Sequence, residues 1–246
     1  MQIILLGASG RMGRVVAAAA LQQGHGTAAG VALEEEKGGA FPIYRTLQEV
    51  TEPADVVLDF SSPALLNDAL AFATGHQLPL VIAATGHSDS DVAAMEKAAA
   101  HIALLRSGNM SLGIALMRRL IRQVHQALPS FDIEIVEKHH RMKKDAPSGT
   151  ALMLFDDLKA VDPSLHSVLG RSGIGPGRDS KEVGIHAIRG GTLVGEHSVQ
   201  FVGQNEMLEI RHESYSREIF ALGALTACHF VLGKAPGMYT MDDVFA

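Results

Sequence analysis

Short apolar runs alternate with helix-like segments through the first half of the chain. Five runs predict strands that are buried on both faces: residues 3–6, 27–33, 56–60, 80–83 and 102–105. Three segments between them have the pattern of helices: residues 11–23, 64–74 and 89–100, the last with Ser88 as its predicted N-cap. Strands that are apolar throughout and alternate with helices indicate a parallel sheet covered on both faces.

The pattern changes after about residue 109. Residues 112–128 predict a long amphipathic helix, and residues 131–139 alternate, with Ile133 and Ile135 on one face and Asp132, Glu134 and Val136 on the other. The remaining predicted elements are helices at 148–158 and 217–232, strands at 183–189, 196–202 and 207–212, and a Gly-rich mobile loop at 170–180. Strands without intervening helices indicate an open antiparallel or mixed sheet, and hence a second domain.

Composition and charge narrow the class of protein. The chain has 246 residues and a net charge of −6, so it is long enough for two modest domains and has no global affinity for nucleic acid. The single cysteine, Cys228, lies in an apolar run and fits a reducing compartment. The N-terminus lacks the basic start of a signal peptide, and no apolar run approaches the ~20 residues of a membrane span. We therefore expect a cytoplasmic protein without a membrane or nucleic-acid partner.

A glycine-rich turn follows the first predicted strand and opens the first predicted helix. It reads Gly7-Ala-Ser-Gly10-Arg-Met-Gly13, a variant of the fingerprint in which glycines let the backbone approach a dinucleotide pyrophosphate. Glu34 stands at the end of the second strand, about 20 residues further on, where an acidic residue binds the ribose hydroxyls. A structural turn beside a solvated acidic loop is the alternative.

The residues after Glu34 bear on the choice of cofactor. Glu35 and Glu36 add two carboxylates, which would repel a 2′-phosphate, and Lys37 is the one nearby cation. The sequence therefore predicts a preference for NADH over NADPH.

Loops rich in small residues follow the third, fourth and fifth predicted strands, at residues 59–63, 83–86 and 107–110. An open α/β sheet binds its ligand at such strand ends. With the glycine-rich turn, they predict an α/β protein with an N-terminal Rossmann-type parallel-sheet domain plus a central α+β domain with an open mixed sheet.

A basic cluster, residues 138–144, follows the alternating strand and contains two histidines, His139 and His140. Residues 145–150, Asp-Ala-Pro-Ser-Gly-Thr, then predict a capped helix start with Pro147 in the first turn. Cations beside a helix N-terminus form a site for a carboxylate or phosphate, so the Gly149 and Thr150 N–H groups are expected to face an anion. Histidine suits proton transfer near neutral pH, and Lys143 is a second candidate proton donor.

Other readings of this cluster are weaker. Adjacent histidines on a strand point to opposite faces, and the surrounding cations oppose a metal ion, so no metal is expected. Nucleic-acid binding lacks aromatic platforms, since the chain has no Trp. The non-functional alternative is a solvated basic loop, but the cluster directly follows a strand that is predicted to be buried.

At these residues the sequence closely resembles the 4-hydroxy-tetrahydrodipicolinate reductase (dihydrodipicolinate reductase) family, and the resemblance covers essentially the whole chain. The longest shared motif is EKHHRMKKDAPSGTA at 137–151. The other shared motifs are GASGRMG at 7–13, DFSSP at 59–63, ATG at 84–86, RGGTLVGEH at 189–197 and LEIRHESYSREIFALGA at 208–224.

The resemblance implies reduction of dehydrated 4-hydroxy-2,3,4,5-tetrahydrodipicolinate to tetrahydrodipicolinate by NADH or NADPH, on the diaminopimelate route to lysine. It implies a dinucleotide-binding domain, residues 1–110 completed by 217–246, and a substrate-binding domain, 111–216, that builds a homotetramer.

The resemblance also implies roles for single residues. His139 is the expected proton donor or acceptor, and Lys143 the expected proton donor. The substrate carboxylates are expected at His140, Lys143, Gly149 and Thr150. Cofactor contacts are expected at Gly7, Ala8, Ser9, Gly10, Arg11, Met12, Glu34, Ala83, Ala84, Thr85, Ser107, Gly108, Asn109 and Met110.

Three positions depart from the family pattern. Glu35 stands where many members have an arginine that meets a 2′-phosphate, in agreement with the predicted NADH preference. Ala84 replaces a threonine, which weakens its assignment as a cofactor contact, and Met110 replaces a frequent aromatic residue.

Two other functions remain open from the sequence alone. The first is another two-domain Rossmann dehydrogenase acting on a small amino dicarboxylate such as aspartate, which would have no use for the motif at 137–151. The second is an NADH-binding sensor with a protein or DNA partner, which would need a recognition module that the sequence does not show.

Overall fold

The computed structural model describes residues 1–33 and 39–245. The chain forms two compact units, defined here as unit 1, Met1–Leu112 with Arg217–Ala246, and unit 2, Gly113–Ser216.

In residues 1–33 and 39–245 the main elements are strands and six α-helices. The strands are β1 Gln2–Leu6, β2 Gly26–Val31, β3 Ile43–Tyr44, β4 Val56–Asp59, β5 Leu80–Ile82, β6 Ala103–Arg106, β7 Asp132–His139, β8 His166–Leu169, β9 Glu182–Arg189, β10 Gly195–Gly203, β11 Glu206–Ser214 and β12 Gly237–Tyr239. The helices are α1 Arg11–Gln22, α2 Leu66–His76, α3 Asp89–Ala99, α4 Leu112–Ala127, α5 Gly149–Val161 and α6 Glu218–Val231.

Unit 1 is built on a parallel sheet with the order β12-β6-β5-β4-β1-β2-β3. Its central strands are apolar and almost fully buried, as strands covered on both faces must be. The direction of chain winding reverses between β1 and β4, and open α/β sheets bind ligands at such a point. The glycine-rich turn leaves β1 at this position.

Helix α6 belongs to unit 1 and packs closely on it. Its small residues Ala221, Ala224 and Ala227 are fully buried. A β-carbon built at Gly223 would lie 1.7 Å from the carbonyl oxygen of Met110, so the helix backbone contacts the loop after β6 directly. Cys228 is also buried, and burial raises the pKa of its thiol.

Unit 2 contains a mixed sheet with the order β11-β10-β7-β9-β8. Strand β7 pairs parallel with β9 and antiparallel with β10. One face of the sheet buries its side chains against α4 and α5 in an apolar core. The opposite face leaves apolar side chains in solvent, since Met207, which pairs with Val202, is 55% exposed, Ile188 46% and Val202 37%.

The predicted fold class is confirmed, with a parallel sheet in one unit and an open mixed sheet in the other. The short strands β3, β8 and β12 were outside the prediction. They lie at sheet edges, and β8 is largely exposed, so they lack the apolar pattern that marks the central strands.

Two local predictions need correction. Helix α5 begins at Gly149 with Ser148 as its N-cap, so Pro147 precedes the helix and does not lie in its first turn. Helix α2 begins at Leu66, after a 3-10 turn at Pro63–Leu65, because Pro63 opens the tighter turn first.

The predicted loop at 170–180 contains no helix or strand, and its Arg171 pairs with Glu134 of β7 at 2.9 Å.

Replacing Gly223 by alanine is expected to lower the free energy of unfolding. The added methyl group would lie 1.7 Å from a backbone oxygen, and overpacking of this kind costs about 1–3 kcal/mol. Gly75→Ala is the matched control, because Gly75 also lies in a helix but its methyl group would meet nothing within 4 Å. The control should gain about 0.5–1 kcal/mol from helix propensity. Urea unfolding measures both changes, and a Gly223→Ala protein as stable as the control would contradict the close packing of α6.

Candidate active site

The glycine-rich turn of unit 1 has the geometry of a phosphate cradle. Gly7 has φ +79°, a left-handed conformation that favours glycine, and its N–H donates to Val31 O at 2.8 Å. A β-carbon at Gly13 would lie 2.2 Å from Gly7 O, so only glycine lets α1 approach the turn this closely. The N-cap of α1, Gly10, makes no side-chain cap hydrogen bond, which leaves the first helical N–H groups for an anion.

A surface hollow lies beside this turn. Its lining residues are Ala8, Ser9, Arg14, Ala17, Gly39, Ala40, Phe41 and Ile43. The hollow combines small residues, one cation and one aromatic ring, which suits a nucleotide next to the phosphate cradle. The predicted ribose contact, Glu34, lies outside the described residues.

The three loops with small residues follow the neighbouring strands β4, β5 and β6. Asp59, at the end of β4, is fully buried, and its carboxylate accepts hydrogen bonds from the Ser61 N–H at 2.7 Å and hydroxyl. Burial raises the pKa of Asp59. In the loop after β6, the Ser107 hydroxyl donates to Asn109 O at 2.7 Å. Hydrogen bonds within the loops therefore fix the backbone at this edge of the sheet.

The candidate site of unit 2 is organised around a buried carboxylate, Glu137. The alternation of β7 places Glu137 and His139 in the same row as the core residues Ile133 and Ile135. The register of the sheet places Arg189 of β9 beside His139 and His197 of β10 beside Glu137. The end of β7 thus gathers ionisable side chains from three strands.

Hydrogen bonds satisfy Glu137 completely. The two guanidinium ends of Arg189 donate to its two oxygens at 2.6 and 2.7 Å, a bidentate pair. His139 Nδ1 lies 2.6 Å from Oε2, and the Ser148 N–H donates to Oε1 at 3.0 Å. Because Ser148 is the N-cap of α5, the carboxylate ties the start of this helix to the end of β7.

A second histidine lies behind the first. His197 Nε2 is 2.9 Å from the hydroxyl of Ser148, which also accepts from the Ala151 N–H as the helix cap. The rings of His139 and His197 meet edge to face, with centroids 5.2 Å apart. This packing restricts the orientation of both rings.

Burial and charge set the protonation of this group. Burial would raise the pKa of Glu137, but hydrogen bonds from Arg189, His139 and Ser148 outweigh it and lower the pKa. Burial lowers the pKa of His139 against the raising influence of Glu137, and it lowers the pKa of His197 to about 3. At neutral pH the site therefore holds a charged Glu137 and two neutral imidazoles.

The basic segment after β7 is more exposed. Lys143 Nζ lies 2.8 Å from the Asp145 carboxylate, and its N–H donates to His140 O at 3.0 Å. A β-carbon at Gly149 would meet nothing within 4 Å, so the backbone at the start of α5 is accessible. The arrangement offers an ammonium group and a helix N-terminus beside neutral histidines, which suits an anionic ligand and proton transfer.

Comparison with known proteins identifies the family. The family pattern described as Dihydrodipicolinate reductase, N-terminus, matches residues 1–110, and that described as Dihydrodipicolinate reductase, C-terminus, matches residues 113–245. The chain belongs to the dihydrodipicolinate reductase family. It is 45% identical to a 4-hydroxy-tetrahydrodipicolinate reductase of Caldanaerobacter subterraneus, over 99% of this chain and 97% of the relative. A reductase of the same name from Clostridium novyi is 41% identical, again over 99% and 97%.

A solved dihydrodipicolinate reductase has the same fold. The dipicolinate-bound enzyme from Paenisporosarcina sp. TG-14 superposes with a TM-score of 0.79 over 98% of this chain and 97% of that chain, at 22% identity. The predicted family and the predicted class, a pyridine-nucleotide-dependent reductase, are confirmed. No helix in the described part of the chain is long and apolar enough to cross a membrane.

The structure shows where the predicted dihydrodipicolinate reductase residues lie. His139, His140, Lys143, Gly149 and Thr150 fall on the single segment from the end of β7 to the start of α5. Among the described cofactor residues predicted in unit 1, Gly7–Gly10 lie in the turn after β1, Arg11 and Met12 begin α1, and the others lie in the loops after β5 and β6. Ala84 and Met110 are nearly fully buried, so their side chains offer little surface to a ligand.

Sequence reasoning missed the residues that organise unit 2. Glu137 carried a usable signal, since a carboxylate at a core-facing position of an alternating strand requires a buried partner. Arg189 and His197 stand at the two ends of the motif at 189–197 and carried no such signal, because only strand register brings them to Glu137.

Proposed function

We propose that the chain reduces dehydrated 4-hydroxy-2,3,4,5-tetrahydrodipicolinate to tetrahydrodipicolinate by hydride transfer from a nicotinamide cofactor, in lysine and diaminopimelate biosynthesis. The observation that carries this proposal is the buried Glu137–Arg189 pair, which fixes His139 beside a cationic segment and a helix N-terminus. Relatives that align over nearly the full chain carry the name of this activity.

The proposed substrate site follows from charge and geometry. A ring with two carboxylates needs cations and N–H donors, which Lys143, His140 and the start of α5 at Gly149 and Thr150 supply. Placing these donors on one segment orients the ring without movement of separate elements. The Paenisporosarcina enzyme has dipicolinate, a planar dicarboxylate, bound in its structure.

The proposed cofactor site lies in unit 1, within a dinucleotide-binding domain that we assign as residues 1–110 completed by 217–246. The turn from Gly7 to Met12 and the uncapped start of α1 would hold the pyrophosphate, and Ala83–Thr85 and Ser107–Met110 would contact the nicotinamide half. Residues 111–216 are then the substrate-binding domain. When bound, the reduced cofactor supplies the hydride.

The proposed chemistry consumes one hydride and one proton. Hydride adds to ring carbon C4 of the conjugated imine, the displaced electron pair moves towards the ring nitrogen, and the ring takes up a proton while the nicotinamide is left oxidised. Neutralisation of the substrate carboxylates lowers the cost of this charge movement. His139 and Lys143 are the proposed proton-handling residues.

We further propose a homotetramer assembled through unit 2, in the cytoplasm. The open face of its sheet exposes Ile188, Val202 and Met207, which another subunit would cover. The free thiol of Cys228 is consistent with a reducing compartment.

Turnover of freshly prepared 4-hydroxy-tetrahydrodipicolinate, followed by loss of NADH absorbance, tests the proposed function. Lys143→Ala should lower kcat by about 10²–10⁴-fold with little change in the Kd for NADH, since it removes a proton donor and a carboxylate contact. Lys144→Ala is the matched control, because it removes an equal charge from the next, exposed position and should remain active. A wild-type protein that turns over aspartate instead, or a Lys143→Ala protein that loses NADH binding, would refute the assignment.

We also expect kcat/KM to be higher with NADH than with NADPH. Glu34, Glu35 and Glu36 are three consecutive acidic residues at the expected ribose-binding position of the sequence, and like charges near a 2′-phosphate would oppose its binding. Replacing Glu35 by arginine should reduce the difference in kcat/KM between NADH and NADPH. A strong preference for NADPH in the wild-type protein would contradict this charge argument.

A further inference from the structure

The buried carboxylate of Glu137 has more hydrogen-bond partners than its ion pair with Arg189 alone would give it. It is fully buried, and its oxygens accept from Arg189, the Ser148 N–H and His139. A buried carboxylate is costly unless every oxygen is satisfied, and replacing such pairs by apolar residues is often neutral for stability. The contact with His139, the one partner that faces the proposed chemistry, points to a role beyond stability.

The contact with Glu137 determines which nitrogen of His139 carries a proton. An ionised carboxylate only accepts hydrogen bonds, so the 2.6 Å contact between Glu137 Oε2 and His139 Nδ1 requires the proton to be on Nδ1. In the neutral ring, Nε2 then carries the lone pair. Arg189 supports this arrangement because its two N–H groups bind both carboxylate oxygens and so fix the orientation of the Glu137 carboxylate.

The surroundings of Nε2 leave it open. His139 Nε2 has no hydrogen-bond partner within residues 1–33 and 39–245. A β-carbon at Gly195, the first residue of β10, would lie 3.1 Å from Nε2, so the absence of a side chain there keeps this nitrogen accessible. The unprotonated end of the ring is therefore the end that a ligand meets.

The groups that face His139 favour the neutral ring. They are Glu137 on its own strand, Arg189 on β9, His197 on β10 and Lys143 in the following loop. Burial lowers the pKa of His139, and the two cations Lys143 and Arg189 lower it further. Glu137 is the one anion among these groups, and it raises the pKa.

We propose that Glu137 and Arg189 are positioning residues that hold His139 with its proton on Nδ1, so that His139 meets the substrate as a hydrogen-bond acceptor at Nε2 and takes up no net proton in the reaction. The proton that the reduction consumes then comes from Lys143, whose ammonium group recovers a proton from solvent. This inference rests on the proposed function for its kinetic meaning, but the tautomer is a property of the protein alone.

Nitrogen-15 NMR of the histidine rings tests the tautomer without substrate. At pH 7 the His139 ring should show a protonated Nδ1 and an unprotonated Nε2, assigned by comparison with His139→Gln. In Glu137→Gln, the amide nitrogen donates where the carboxylate accepted, so the Nε2–H tautomer should appear. A wild-type ring with its proton on Nε2, or a charged ring at pH 7, would overturn the inference even if the enzyme turns over the proposed substrate.

Steady-state kinetics test whether the tautomer of His139 affects catalysis. Glu137→Gln should lower kcat on the order of 10²-fold or more with a small change in KM, since the wrong tautomer impairs chemistry more than binding. Asp157→Asn is the matched control, because Asp157 is also a largely buried carboxylate paired with arginines, Arg118 and Arg122, but on α5 away from His139. Equal losses in the two variants would show a purely structural role and overturn the inference.

The pH profile separates an acceptor from a donor. An acceptor must be unprotonated, so kcat/KM should fall as the pH decreases through the pKa of His139, which burial lowers from its ordinary value, and should not fall as the pH rises through it. Loss of activity on raising the pH through this range would identify His139 as the donor and overturn the inference.

Should Glu137→Gln fail to fold, Arg189→Lys, which keeps the charge and removes the bidentate fork, should show the same tautomer mixing and loss of kcat. A wild-type kcat and tautomer in that variant would contradict the role of Arg189.

Discussion

The carboxylate of Glu137 is the constraint on which the architecture of unit 2 depends. A fully buried anion at a core-facing position must be neutralised and hydrogen-bonded, and removing one partner of such a pair costs about 3–5 kcal/mol. Its partners come from β9, from the end of β7 and from the N-cap of α5. Satisfying one side chain therefore fixes the strand register, the start of the helix and the orientation of a histidine at once.

Unit 1 depends on a steric constraint of a different kind. Gly7 and Gly13 allow a turn and a helix to approach within distances that any side chain would prevent, and the start of α1 is uncapped because its N-cap, Gly10, has no side chain. Fixed backbone N–H groups bind a phosphate without reorganisation. Each unit thus holds its proposed ligand with rigid groups: backbone in unit 1, and a hydrogen-bonded cluster of side chains in unit 2.

The sequence predicted most of what depends on local pattern. Apolar strands, the turn at 7–13 and the alternation at 131–139 have signals within a few residues, and both sheets followed from them. The basic segment at 138–144 marked the candidate site for the same reason. Arg189 and His197 lie far from Glu137 in the chain, so their contacts depend on the strand order β10-β7-β9, which no local pattern encodes. Pro147 was wrongly placed in the first turn of α5, because Ser148, the residue after it, is the N-cap.

We propose that the segment from the end of β7 to the start of α5 is a dicarboxylate site built around a positioned histidine. A crystal structure of the protein with dipicolinate and NADH bound tests it most directly. One substrate carboxylate should lie within hydrogen-bonding distance of the Gly149 and Thr150 N–H groups and of Lys143. The ring should lie next to His139 Nε2, with His139 Nδ1 still hydrogen-bonded to Glu137. Dipicolinate bound away from this segment, or a His139 ring turned to break the contact with Glu137, would contradict it.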